Sequence, residues 1–295
     1  MTPVPLARIM VEPLVRAALL EDLGGAGDIT TDAIVPAGLA ARAALVARET
    51  GVVAGLDLAR LAFELVDPNI AMQVAIDDGA TVTPGGVIAW VSGPARGILT
   101  AERTALNFLG HLSGIASATA FIVAAVRGTK AKIVCTRKTT PGLRAVEKYA
   151  VRAGGGANHR FGLDDAILIK DNHIAIAGGI AQALRRARAA AGHLVKIEVE
   201  IDNLDQLKEA LGEGADIVLL DNMSLDRLGK AVAIVDGRAM TEASGRVTPE
   251  SAPALAATGV DLISVGWLTH SAAVLDVGLD FEDQGSDGNL STLES

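Results

Sequence analysis

One cysteine, Cys135, stands in the whole 295-residue chain. That excludes an intrachain disulfide and a cysteine-built zinc cluster, and it fits a reducing cytoplasm. Aromatic residues are scarce as well, at 3%, too few for a surface that stacks the bases of single-stranded nucleic acid. Uninterrupted apolar runs are short: Ala120 to Val126 falls far below the roughly 20 residues of a membrane-spanning helix. Arg8, Glu12, Arg16, Glu21 and Asp22 deny the N-terminal stretch the apolar core of a signal peptide. A basic excess is missing too. With 26 Lys+Arg against 35 Asp+Glu the net charge is -9, and a general nucleic-acid binder would carry the opposite sign. The expectation is a cytoplasmic protein with no nucleic acid and no membrane as partner.

The charge that is present is unevenly placed. Between Arg127 and Lys170 ten basic residues face three acidic ones, a local +7 that leaves -16 for the rest of the chain. Asp276, Asp280, Glu282, Asp283, Asp287 and Glu294 all lie in the last twenty residues, which have no Lys or Arg. A local basic stretch inside an acidic protein points to a small anionic ligand. With 50% apolar and 21% charged residues the chain is globular, long enough for one large domain or two smaller ones.

The first hundred residues read as an opening helix over Leu6–Leu23, stopped by Gly24-Gly25, followed by short strands around Ala43–Ala47, Val52–Ala54, Met72–Ile76 and Val87–Val91. Asp77-Asp78-Gly79 and Thr83-Pro84-Gly85-Gly86 supply turns between them. Thr100 to Val126 reads as a long helix with Thr100 as N-cap. Strand and helix signals then alternate. Candidate strands are Lys132–Thr136, Ala166–Ile169, Val195–Val199, Asp216–Leu220, Ala239–Ala243 and Asp261–Val265, with helices opening at Thr140-Pro141, Asp202, Ser224 and Thr248-Pro249. The pattern predicts an α/β chain: an N-terminal α+β sandwich-like domain over 1–115, completed by 272–285, then an incomplete TIM-like β/α barrel over 116–271 and a mobile tail over 286–295.

Polar residues decide for the barrel. Each candidate strand runs into ligand-binding types at its C-terminal end: Arg137-Lys138, Lys170-Asp171-Asn172-His173, Glu200, Asp221-Asn222, Ser244-Gly245 and Gly266. Six such ends in succession place the chemistry on one face, where strand-to-helix loops converge, and the last two suit a phosphate held on backbone N–H groups. Arg137, Lys138, Arg160 and Lys170 beside Glu200 and Asp221 describe a site for a multiply anionic substrate. The carboxylates would accept hydrogen bonds from sugar hydroxyls or hold a divalent metal. A phosphorylated sugar and a second anionic substrate are expected.

These residues resemble a known family. Thr136-Arg137-Lys138-Thr139-Thr140-Pro141, Gly154-Gly155-Gly156-Ala157-Asn158-His159-Arg160, Leu168-Ile169-Lys170-Asp171-Asn172-His173, Val199-Glu200, Leu220-Asp221-Asn222 and Glu242-Ala243-Ser244-Gly245 are similar to the motifs of the quinolinate phosphoribosyltransferases. Glu21-Asp22, Gly27–Thr31 and Glu102–Asn107 look like the same family, so the resemblance runs in order from about Leu14 to Phe281. It implies transfer of phosphoribosyl from phosphoribosyl pyrophosphate to quinolinate with loss of CO2, a step of NAD biosynthesis, with Mg2+. It further implies that Thr136, Arg137, Lys138, His159, Arg160 and Lys170 contact quinolinate and pyrophosphate. Glu200 and Asp221 would serve the ribose and the metal, and Ser244, Gly245 and Gly266 the 5′-phosphate. Arg103 is similar to an arginine supplied across a homodimer interface, and a higher oligomer is compatible with that. Catalysis would rest on Lys138, Lys170, Glu200 and Asp221, with Lys138 as proton donor to C2.

Other readings compete. Lys170 or Lys138 at a strand end could serve a Schiff-base aldolase or lyase, and a related pyrophosphorylase could take another acceptor acid. Arg127, Lys130, Lys148 and Arg152 read as solvated charges, as does Arg144 unless it reaches inward, Cys135 as core, and His111, His193 and His270 as structural or exposed. Period two puts Lys196, Glu198 and Glu200 on one strand face, and the resemblance favours Glu200 as the site residue. Arg246 and Trp267 depart from the family pattern around the phosphate end.

Overall fold

A computed structural model describes residues 3–282 of the chain. The expected tail at 286–295, and the last residues of the expected 272–285 segment, lie outside them. The chain divides into two compact units: Ala7–Gly110 with the chain from Leu275, and His111–Val274 with the chain up to Leu6.

The first unit is built on a four-stranded antiparallel sheet. Val277–Phe281 pairs with Ala40–Ala47, which pairs with Val87–Pro94, which pairs with Ala71–Val74. Residues far apart in sequence therefore share one sheet, and Arg42–Glu282 and Arg48–Asp280 ion pairs clamp the C-terminal strand. Helix Leu56–Val66 turns Leu58, Leu61, Ala62 and Phe63 into this unit's core.

The longest helix, Ala95–Ala125, begins five residues before the expected Thr100 cap. Thr100 does not cap it; its hydroxyl donates to Asp28 Oδ2 at 3.1 Å. By length and hydropathy this helix could cross a membrane. Burial of Ile98, Leu109, Leu112, Ile115 and Ile122 marks it as a core helix instead.

In the second unit six strands form a parallel sheet in the order Lys132–Val134, Leu262–Ser264, Met240–Ser244, Ile217–Asp221, Ile197–Ile201, Ile167–Ile169. Ala157 adds a parallel bridge to Val134, a short seventh segment beside the first strand. No ladder among the described residues joins that segment to Ile167–Ile169, so the β/α barrel is incomplete. Period two divides the strand residues cleanly. Val199, Ile201, Val218, Leu220 and Ala243 join the apolar core packed under the helices, and the alternate positions Glu198, Glu200, Asp221, Glu242 and Ser244 take the other face.

Helix starts follow local hydrogen bonding. Asn203, one residue after the expected Asp202, caps Leu204–Gly212 by accepting from Asp205 N and Gln206 N, and Ser224 caps Leu225–Val235. The two Thr-Pro sites start no helix directly. After Thr140-Pro141 a turn closed by Leu143 N on Thr140 O comes first and the helix begins at Arg144, with the Thr140 N–H donated to Glu147 Oε2 at 3.0 Å. After Thr248-Pro249 a Thr248–Ser251 hydrogen-bonded turn delays the helix to Ala252.

Candidate active site

The loop leaving the first barrel strand is held at several points. Thr136 Oγ1 accepts from Lys138 N at 3.0 Å, and Thr269 Oγ1 donates to Lys138 O at 2.7 Å. Arg144 Nε donates to Thr139 Oγ1 at 3.0 Å, so of its two sequence readings Arg144 takes the inward one. A Cβ on Gly266 would fall 3.1 Å from Lys138 Cδ and 3.6 Å from Thr136 Oγ1. Glycine there lets the Lys138 stem lie against the start of the last helical turn.

Lys170 ends the Ile167–Ile169 strand, and its N–H donates to His173 Nδ1 at 2.9 Å. Across two neighbouring strands Glu200 and Asp221 sense each other. Burial, then the Asp221 charge, raises the Glu200 pKa, while Lys170 opposes the rise. Two repelling acids beside a cation have the donor set that a hard divalent ion such as Mg2+ takes. Asn222 bridges this pair to the Ser244–Gly245 strand end: it donates to Asp221 Oδ2 at 2.6 Å, takes a left-handed φ of 50°, and donates its N–H to Ser244 O at 2.9 Å. Gly245 has φ 150°, and a Cβ there would meet Asn222 Oδ1 at 3.0 Å. Trp267 donates Nε1–H to Val247 O at 2.9 Å, so the indole fixes the chain after Gly245.

Deeper in the barrel lies a polar layer that the sequence reading did not assemble. His159 Nδ1 accepts from Arg160 N at 2.7 Å, which leaves the proton on Nε2, donated to Glu198 Oε2 at 2.9 Å. Glu242 Oε1 lies 3.7 Å from the same nitrogen. Burial works against a charged His159, but the Glu198 hydrogen bond and the Glu242 and Glu198 charges outweigh it and raise the pKa. Burial and the Glu198 charge push Glu242 up to about 7. The three side chains lie within 4.8 Å of one another, close enough for a metal ion. The direct His159–Glu198 hydrogen bond and the charges of Arg160 and Lys148 nearby already answer part of the negative charge. A cavity of about 420 Å³ adjoins this layer, bounded by His159, Arg160, Glu198 and Glu242 among others.

Arg137 and Arg160 face the same region. Burial, then repulsion from Arg137, lowers the Arg160 pKa. One guanidinium nitrogen of Arg160 donates to Ala166 O at 3.0 Å, across the open side of the sheet, while Nε of both arginines is buried without a partner. Such unspent donors await an anion.

The barrel unit thus holds Thr136, Arg137, Lys138, His159, Arg160, Lys170, Glu200, Asp221, Ser244, Gly245 and Gly266. Arg103 belongs to the other unit, exposed on helix Ala95–Ala125. Lys148 contradicts its reading as a solvated charge: it is 1% exposed. His111 pairs with buried Glu147 at 3.0 Å. Glu198 and Glu242 carried a signal, the period-two placement of acids on strands, but nothing in the sequence tells a buried acid from a mouth-facing one. Lys138 and Lys170 are exposed, unlike the desolvated lysine that an imine-forming aldolase needs.

Comparison with known proteins agrees over most of the chain. Residues 28–113 match the model of the quinolinate phosphoribosyl transferase N-terminal domain, and residues 115–280 match that of the C-terminal domain. A carboxylating nicotinate-nucleotide pyrophosphorylase of Mycobacterium leprae is 51% identical over 271 residues, 90% of this chain and 95% of that protein. A decarboxylating quinolinate phosphoribosyltransferase of Nicotiana tabacum is 39% identical over 289 residues, 92% and 82% of the two chains. The solved nicotinate-nucleotide pyrophosphorylase of Francisella tularensis superposes with a TM-score of 0.90 at 40% identity, covering 96% of this chain and 99% of its own.

Proposed function

The chain belongs to the quinolinate phosphoribosyltransferase family, and on that premise we propose that it transfers phosphoribosyl from phosphoribosyl pyrophosphate to quinolinate, releasing pyrophosphate and CO2 and yielding nicotinate mononucleotide for NAD biosynthesis in the cytoplasm. The observation that carries this reading is the pair of half-buried arginines, Arg137 and Arg160, each with an unpartnered Nε, in the same barrel unit as a Glu200–Asp221 pair at neighbouring strand ends. One set suits a dicarboxylate, the other a ribose and a metal-bound diphosphate.

In this reading Arg137, Arg160 and Lys170 hold the quinolinate carboxylates, with Thr136 and His159 lining the same region. Both ring nitrogens of His159 are engaged within the protein, so its part is to shape the site. Ser244, Gly245 and Gly266 cradle the 5′-phosphate on backbone N–H groups. Glu200 and Asp221 accept from ribose hydroxyls and would hold Mg2+, which, when bound, neutralises charge on the diphosphate.

The cations bring two anions together and orient them. The pyridine nitrogen's lone pair forms the bond to the anomeric carbon as the bond to pyrophosphate breaks, the electron pair leaving with pyrophosphate toward Lys138 and Lys170. The ring nitrogen, now positive, stabilises the electron pair left at C2 when the C2–carboxylate bond breaks and CO2 departs. Lys138 Nζ delivers the proton to C2. Arg103 reaches the acceptor acid from a second subunit of a homodimer, itself free to assemble further.

The test is complementation. Arg103→Ala and Lys138→Ala should each be inactive alone and regain about a quarter of wild-type activity when mixed at equal amounts under subunit exchange, as random pairing gives one intact site in mixed dimers. Full activity of either variant alone would contradict the assigned roles.

A further inference from the structure

Lys148 lies on helix Arg144–Ala153, and its ammonium is sealed from water. Its three N–H donors meet three acceptors: Cys135 Sγ at 3.1 Å, His159 O at 2.9 Å and Arg160 O at 3.1 Å. Cys135 in turn donates its thiol hydrogen to Asn158 Oδ1 at 3.4 Å. The neighbouring Glu147 is committed elsewhere, to Thr140 N and His111. Among the described residues Lys148 has no ion-pair partner; Asp165 feels its charge at longer range.

A buried ammonium without a carboxylate partner is costly, and an apolar side chain of the same length would avoid that cost. The acceptors say what the charge is for. Two are the carbonyls of His159 and Arg160, and the third leads to Asn158, so one ammonium braces three consecutive residues. Those residues form the segment that extends the barrel past Ala157 and carries the Arg160 guanidinium across the open side of the sheet. Lys148 adds its charge at His159, beside Arg160 and Arg137, where Glu198 supplies negative charge.

We propose that Lys148 is a positioning residue of the acceptor-acid site: it aims Arg160 by holding the 158–160 backbone and adds a fixed positive charge that favours a dicarboxylate acceptor. This rests on the function proposed above. The anomeric-carbon and phosphate side of the reaction, built on Glu200, Asp221, Ser244 and Gly245, makes no hydrogen bond to Lys148, so the effect of losing it falls on one substrate.

The experiment compares wild type with Lys148→Met, which keeps the length and removes the ammonium. Wild type is measured first; if it does not convert quinolinate, the proposed function fails and not this inference. For a Lys148→Met protein that melts cooperatively, the quinolinate KM should rise about tenfold while the phosphoribosyl pyrophosphate KM stays within about twofold, as loss of charge-assisted hydrogen bonds at one subsite requires. A quinolinate-specific rise of less than about threefold, or a parallel rise of both KM values, overturns the proposal. If Lys148→Met does not fold, Cys135→Ala replaces it, removing one Nζ acceptor and the Asn158 brace. A rise of about twofold or more confined to the quinolinate KM is then expected, and a smaller or shared change overturns the proposal.

Discussion

His159 donates Nε2–H to Glu198 Oε2 at 2.9 Å while its Nδ1 accepts the Arg160 N–H at 2.7 Å. The imidazole is therefore held from both sides, in one tautomer, by a strand acid and by the backbone of the arginine next to it. Glu198→Gln removes the largest influence raising the His159 pKa. An NMR pH titration of the His159 ring should show its pKa falling in that variant; an unchanged value would mean that the Glu198 contact does not set the ring's charge.

Glu242 gives the cluster a pH signature. Its folded pKa is raised to about 7 from an ordinary 4.5, so between those values the folded protein keeps a proton that the unfolded chain releases. Stability contributed in this way is present at low pH and is lost as pH rises through the window. His159 is raised too and acts in the same direction. Glu242→Gln removes the carboxyl's share: relative to wild type the variant should gain stability from about pH 5 to about pH 8, by roughly 3 kcal/mol at most. Urea midpoints at both pH values measure it, and a difference independent of pH would contradict the buried, proton-retaining carboxyl.

Asp221 raises the Glu200 pKa after burial has done so. Asp221→Asn should therefore lower it and move the acid limb of the kcat/KM profile for phosphoribosyl pyrophosphate to lower pH, besides cutting the rate by about 100-fold. An acid limb that stays in place would show that Glu200 is not the group titrating there.

Two glycines separate packing from chemistry. On Gly114 a Cβ would lie 1.9 Å from Ala273 O, against backbone that cannot yield cheaply. Gly114→Ala should cost about 3 kcal/mol in urea unfolding. On Gly266 the added carbon meets side chains alone, the flexible Lys138 stem nearest at 3.1 Å, with Thr136 Oγ1 and His270 Nε2 at ordinary contact distance. Gly266→Ala should leave the unfolding midpoint nearly unchanged and lower kcat about tenfold by shifting Lys138.

The barrel was legible because a short apolar strand followed by a polar end repeats six times, and that repeat survives any uncertainty about individual boundaries. Boundaries moved where a separate turn precedes the regular helix: Leu143 N donates to Thr140 O and Ser251 N to Thr248 O, one turn before each helix proper. Lys138, Lys170, Glu200 and Asp221 were legible because strand ends open to the mouth. Lys148 was not, since a lysine on an amphipathic helix is written the same way whether its ammonium meets water or three acceptors in the interior. Glu198 and Glu242 sat in plain alternation with Glu200 and Ser244, yet depth along a strand depends on the stagger of its neighbours, which only the assembled sheet supplies.

The central claim is the reaction itself, a phosphoribosyl transfer coupled to decarboxylation. The most direct measurement incubates the purified protein with phosphoribosyl pyrophosphate and Mg2+ and either quinolinate or nicotinate, and follows CO2 and nicotinate mononucleotide together. Quinolinate should give the two products in equal amounts and nicotinate should be a far poorer substrate. Equal use of nicotinate, or turnover of quinolinate without CO2, would contradict the account.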